Sequence, residues 1–200
     1  FCVTLLVRVL KRHVGAPDTC DAALCAVANI TRGCRDNQDK FIVDDGVGVL
    51  LAALRAHKLD EDGSIVSHAC AAIIYMAAHY DAYLAARGAV AVIVDALKHS
   101  TGYPRVLASL CWALEALGRR DDGCRAAISK AKTMPYLVKA LGDYPADRDL
   151  CLHALGAVQS ATFNNVPYKR LALRLGAPAR ILALLDLHPA DPPVVARALG

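Results

Sequence analysis

ASLCWALEALG (Ala108–Gly118) holds the only tryptophan of the chain on an otherwise small and aliphatic helical face. The pair Ala113-Leu114 is followed three residues later by Leu117, an i, i+1, i+4 spacing that lines one side of a helix. The same signature recurs in DAALCAVANITRG (21–33), SHACAAIIYMAAH (67–79) and CLHALGAVQSA (151–161). Its pairs there are Ala26-Val27, Ala72-Ile73 and Ala154-Leu155, closed by Ile30, Met76 and Val158. An alanine at that point lets a neighbouring helix approach closely. Repetition, rather than one motif, therefore decides the fold.

The segments between these helices repeat as well. VTLLVRVLKRH (3–13), VGVLLAALRAH (47–57), AVAVIVDALKH (89–99), MPYLVKALGDY (134–144) and APARILALLDLH (177–188) align, and four of the five end in histidine: His13, His57, His99 and His188. Gly46, Gly88 and Gly176 precede three of them, spaced 42 and 88 residues apart, and Lys132 fills the intermediate slot. Short segments such as YDAYLAARG and YKRLALRLG come before these glycines. The unit predicted is a short helix, a glycine-permitted turn, a middle helix and a longer third helix, with a period of roughly 42–44 residues. Asp18, Asp60 or Asp62, and Asp147 stand where third helices begin and are expected to cap them.

Composition suits this architecture. The 200 residues are 56% apolar and rich in alanine and leucine, with 6% aromatics and a formal charge of +4. Such a chain buries a core and is not disordered. The mild, sign-alternating charge supports neither a nucleic-acid nor a membrane role. The eight cysteines form no CxxC and no paired metal spacing. Cys25, Cys70, Cys111 and Cys151 fall within apolar helical patterns, which points to reduced thiols and a cytoplasmic protein. The stretch free of charged residues, GSIVSHACAAIIYMAAHY (63–80), is long enough for a membrane span, but its two histidines and buried-helix periodicity favour a core helix. FCVTLLVRVLKRH is interrupted by Arg8 and lacks a cleavage site, so it is not read as a signal peptide. Both ends lie within apolar patterns, so the chain is expected to be part of a longer protein.

No catalytic motif emerges. GVGVLL (46–51) lacks the third glycine and preceding strand of a dinucleotide loop, and DEDG (60–63) is not followed by a calcium ligand series. The helix-end histidines recur about once per repeat, a separation of roughly 10 Å against ligand bonds of about 2 Å. They are expected to cap carbonyls or meet the negative end of the helix dipole, not to hold a metal. No cofactor is implied.

LCWALEALG resembles the third-helix pattern of the armadillo-repeat family, and AVANITRG (26–33) resembles its Ala-Leu-x-Asn-Ile form with Asn29 at the groove asparagine. The resemblance covers essentially the whole chain. It implies an all-α, right-handed α-solenoid forming a single segment, with repeats near 1–45, 46–87, 88–131, 132–175 and a partial 176–200. In that family the third helices line a concave groove that binds partner segments. The groove positions are then Cys25, Ala71, Trp112 and His153; Asn29, Tyr75, Ala116 and Ala157; and Arg32, His79, Arg119 and Ser160. Trp112 and Tyr75 would offer stacking surface and Asn29 a backbone hydrogen bond to an extended or helical peptide. The family's nuclear-import adaptors pair Trp with Asn on successive third helices. Here Trp112 is paired with Ala116 and Asn29 with Cys25, so that ladder is absent.

A second candidate surface is a basic outer edge of Arg120, Lys130, Lys132, Lys169 and Arg170, suited to an acidic partner. The expected function is a non-catalytic protein-interaction scaffold. Alternatives are a regulatory armadillo domain of a larger kinase-like or metabolite-sensing enzyme, and a structural component of a ciliary or cytoskeletal assembly. Neighbouring repeats or subunits are expected to cover Phe1–Leu10 and Val194–Leu199.

Overall fold

The computed structural model describes residues 1–58 and 62–199; these form thirteen α-helices and no strand. In chain order they are α1 (Cys2–His13), α2 (Pro17–Thr31), α3 (Arg35–Val43), α4 (Gly46–Ala56), α5 (Ser64–Ala86), α6 (Ala89–His99), α7 (Pro104–Gly118), α8 (Asp122–Lys130), α9 (Met134–Asp143), α10 (Arg148–Thr162), α11 (Val166–Arg174), α12 (Ala177–Leu187) and α13 (Pro192–Leu199). The third helices α2, α5, α7, α10 and α13 pack side by side in that order. The middle helices α1, α4, α6, α9 and α12 occupy the other layer, bridged by the short helices. The result is an all-α solenoid.

The repeating pair explains the stack. Ala72, Ile73, Ala113, Leu114 and Ala154 are fully buried, as are Met76 and Leu117. Ala26 and Ile30 are half-buried, because α2 has a third-helix neighbour on one flank alone, α5. The charge-free stretch of 63–80 lies within α5, between α2 and α7, and among the described residues no helix is long and apolar enough to cross a membrane. The third helix and the following first helix meet within α5 at a kink, where Tyr80 is non-helical (φ −132°, ψ 23°), at the junction expected from the sequence.

The turns into middle helices are left-handed at Asp45, Gly88, Lys132 and Gly176, spaced 43, 44 and 44 residues apart. Asp45, not Gly46, therefore makes the first turn. Gly46 serves packing instead, since a Cβ there would lie 2.5 Å from the Phe41 ring. Capping differs from expectation in a similar way. Asp147 does cap α10, accepting from Leu150 N at 3.0 Å. Asp18 sits behind Pro17, whose missing N–H suits the first turn, and the N-cap is Ala16. α5 starts from left-handed Gly63 rather than an aspartate cap; Asp60 and Glu61 lie outside the described residues. Asp121, Asn165 and Asp191 cap α8, α11 and α13.

The helix-end histidines reach further than their own helix. His57 Nε2 donates to Val14 O (2.6 Å) and His188 Nε2 to Pro145 O (2.8 Å), each one repeat back. Ser100 Oγ donates to Lys58 O (3.4 Å) and Tyr144 OH to Thr101 O (2.8 Å) at the equivalent places. These four bonds stitch successive middle helices end to end. His99 Nδ1 instead donates to Asp95 O within its own helix, at 2.7 Å.

The eight cysteines are free thiols, and Cys20, Cys70, Cys111, Cys124 and Cys151 are buried. Burial pushes the Cys70 and Cys124 thiols up to about 12 and Cys151 up to about 11, and raises Cys20 and Cys111 as well. A thiolate is the reactive form. Iodoacetamide at pH 8 is therefore expected to add to Cys2, Cys25 and Cys34 in the folded protein, and to the other five after denaturation. Peptide mass spectrometry showing rapid labelling of Cys111 in native buffer would contradict this core.

Candidate binding groove

Trp112 projects from α7 with 40% of its surface exposed. Its indole lies flat on the His153 ring of α10, with centroids 4.7 Å apart and planes 10° from parallel. The two rings form a slab on the face shared by the third helices. On one side is a cleft of about 520 Å³ lined by Ser67, Arg105, Ser109, Asp147 and Asp149 as well as the two rings. On the other is a smaller cleft of about 130 Å³ floored by Ile74, Ala77 and Ala116 and edged by Arg119 and Arg120.

What holds the slab in place is Glu115, which the sequence reading passed over. Its carboxylate is 2% exposed. His153 Nδ1 donates to Oε2 at 3.0 Å and Arg119 Nη2 to Oε1 at 2.8 Å. Arg197, from α13, donates to the same Oε1 and also to Gln159 Oε1 at 3.1 Å. Burial alone would raise the Glu115 carboxyl. The hydrogen bonds from His153 and Arg119 and the field of Arg197 outweigh it, so the group sits below its ordinary value. The Glu115 carboxylate can lie against α10 because residue 156 is glycine: a Cβ there would lie 2.5 Å from Glu115 Cδ and 2.7 Å from Oε2.

The sequence-derived residues divide into two groups. Trp112, His153 and Arg119 meet around Glu115. Tyr75, Arg32, Asn29 and His79 belong to the α2–α5 half. Arg32 lies over the Tyr75 ring at 4.9 Å, Asn29 is exposed with Nδ2 3.7 Å from Cys25 Sγ, and His79 is exposed with an edge contact to Tyr80. Ala157, assigned to the groove by its spacing, is fully buried beneath it instead. Arg120 lines the small cleft beside Trp112 and donates to Ala78 O at 3.1 Å, whereas Lys169 lines a hollow on the end of the stack with Leu173 and Ile181. Lys130, Lys132 and Arg170 are exposed on or beside the first helices.

Arg197 was legible by register: Asp147 and Asp191 are equivalent caps, so 44 residues past His153 falls on Arg197. Glu115 had no such signal, because it occupies a position between Leu114 and Leu117 that reads as core.

The architecture is shared with designed solenoids. An engineered protein superposes with a TM-score of 0.83 at 20% identity, covering 98% of this chain and 78% of that one. A designed armadillo repeat protein in complex with the peptide (KR)4 gives 0.80 at 20%, covering 98% and 79%. A structure of computationally designed armadillo repeat proteins for modular peptide recognition gives 0.80 at 21%, with the same coverage. No protein-family model matches the sequence, and no curated protein matches it. The chain has an armadillo-type fold.

Proposed function

We propose that this chain is a non-catalytic interaction module that binds an extended or helical peptide segment of a partner protein in the groove lined by α5, α7 and α10. The observation that carries this reading is the Trp112–His153 slab. A large aromatic surface is fixed by a buried ion network, left 40% open and flanked by two clefts. A pre-ordered aromatic loses little conformational freedom on binding, and such residues supply most of the affinity at interfaces. The likeness to designed armadillo proteins, one of them holding a peptide, supports the same use of the fold. The free thiols suit a reducing, cytoplasmic setting. Leu173, Leu182 and Leu187 leave an apolar end that further helices or a neighbour would cover.

Peptides selected from a random displayed library against the folded chain provide the test. Trp112→Ala is expected to weaken their binding by roughly 30-fold, in line with loss of a central hot spot. The melting temperature should stay within a few degrees, since the ring is not enclosed by the core. Selected peptides that bind Trp112→Ala as tightly as the parent would remove the groove from consideration.

A further inference from the structure

Beside the Trp112 slab, at the C-terminal ends of α7 and α10, lies a basin of about 270 Å³ whose lining includes four arginines: Arg119, Arg120, Arg125 and Arg197. We infer that this basin receives a phosphomonoester carried on the docked peptide, an inference that rests on the peptide-binding reading above.

Charge selects the ligand class. Four guanidinium groups face two carboxylates, Glu115 beneath Arg119 and Arg197, and Asp122 beside Arg125. The local balance is a net charge of +2. A phosphomonoester carries about −1.5 to −2 at pH 7 and matches it, whereas a single carboxylate leaves half of it uncompensated. Among the described residues Arg120 has no carboxylate partner; it is exposed and tethered by one bond to Ala78 O. Arg125 is placed rigidly, donating to Gly118 O at 3.0 Å and stacked 4.9 Å over the Phe163 ring. Planar, pre-ordered guanidinium groups suit the oxygens of a phosphoryl group.

Geometry selects a peptide over a polyanion. Arg119 and Arg120 line both the basin and the small cleft behind Trp112, so a chain crossing the slab runs directly into the basin. On the far side of the slab stand Asp147 and Asp149. A nucleic-acid backbone would meet those carboxylates within a few phosphates. A peptide with one phosphorylated side chain would not.

The experiment presents the full chain, immobilised, with random peptide libraries that share a fixed central residue. That residue is phosphoserine in one arm and serine in the other, and retained members are counted by mass spectrometry. Phosphoserine members are expected to be enriched about tenfold, the size of one charge-assisted hydrogen bond at the low end of its range. Arg120→Gln should reduce that enrichment several-fold, and Arg119→Gln with Arg120→Gln should abolish it, while circular dichroism melts verify that both variants fold. Trp112→Ala should lower retention in both arms and leave their ratio unchanged. Equal retention of the two arms, still lowered by Trp112→Ala, overturns the basin and keeps the groove. Phosphoserine enrichment with retention in neither arm lowered by Trp112→Ala keeps the basin and overturns the groove. Capture of polyuridine RNA or phosphoinositide vesicles through Arg119 and Arg120, without phosphoserine enrichment, also overturns the proposal.

Discussion

Replacing Gly156 with valine is expected to lower the free energy of unfolding by about 3 kcal/mol, combining overpacking with loss of charge-assisted hydrogen bonds. The direction runs against helix propensity, which favours any ordinary residue over glycine by a few tenths to about 1 kcal/mol in a helix interior. The reason is local. Cβ at 156 would occupy the space of the Glu115 carboxyl group, with Cδ at 2.5 Å, Oε2 at 2.7 Å and Cγ at 2.8 Å. The carboxylate is the far end of a flexible side chain and could move in principle. Here moving it breaks its bonds to His153, Arg119 and Arg197 together. Gly156→Ala should show the same sign at about half the size. Gly15→Ala, where nothing lies within 4 Å, serves as the control and should change stability by no more than about 0.5 kcal/mol. Urea denaturation of the three variants measures this. A Gly156→Val protein as stable as its parent would show that the Glu115 carboxylate is not held against α10 at residue 156.

The second large effect is expected from Glu115→Gln, at about 2 kcal/mol near neutral pH. Most of it should come from His153 and Arg197, because the Arg119 side chain is 60% exposed and its pairing is screened by solvent. The dependence on pH follows from the direction of the shift. The Glu115 carboxyl is held below its ordinary value of 4.5, so the folded state binds its proton more weakly than the unfolded chain does. The stability it supplies is fully present above about pH 5.5. It declines as pH falls past 4.5 and is gone once pH is below the folded value. The difference between the parent and Glu115→Gln should therefore shrink as pH falls from 6 toward 3. Other carboxylates titrate in both proteins and largely cancel. A difference as large at pH 3 as at pH 7 would contradict a charged, clamped Glu115. Amide exchange offers a second reading, since α13 should lose protection first when Arg197 is released.

The fold was readable because it rests on local, recurrent chemistry. Small-apolar pairs in phase, from Ala26-Val27 to Ala154-Leu155, specify a face, and the 43–44-residue interval between left-handed turns specifies a stack. That Trp112 projects from a third helix was readable for the same reason. The clamp was not. Glu115 has partners 4, 38 and 82 residues away, and the space between them depends on a missing side chain at 156. Spacing within one helix cannot report a contact made across two others. The turn residue was misplaced by one position because glycine is the usual choice for positive φ, yet Asp45 adopts it and Gly46 yields to the Phe41 ring. The capping aspartates were partly misread because Pro17 opens α2 without needing a side-chain acceptor.

The clamp at Glu115 has a mechanical consequence. One carboxylate ties three adjacent rods, α7, α10 and α13, whereas the stitches between middle helices each join two neighbours. Rods tied in threes cannot slide or splay pairwise. The tie braces the coil where the indole is mounted. Under the proposed peptide-binding role, that stretch would act as a gauge with its pitch set in advance, admitting chains whose side-chain intervals already suit it.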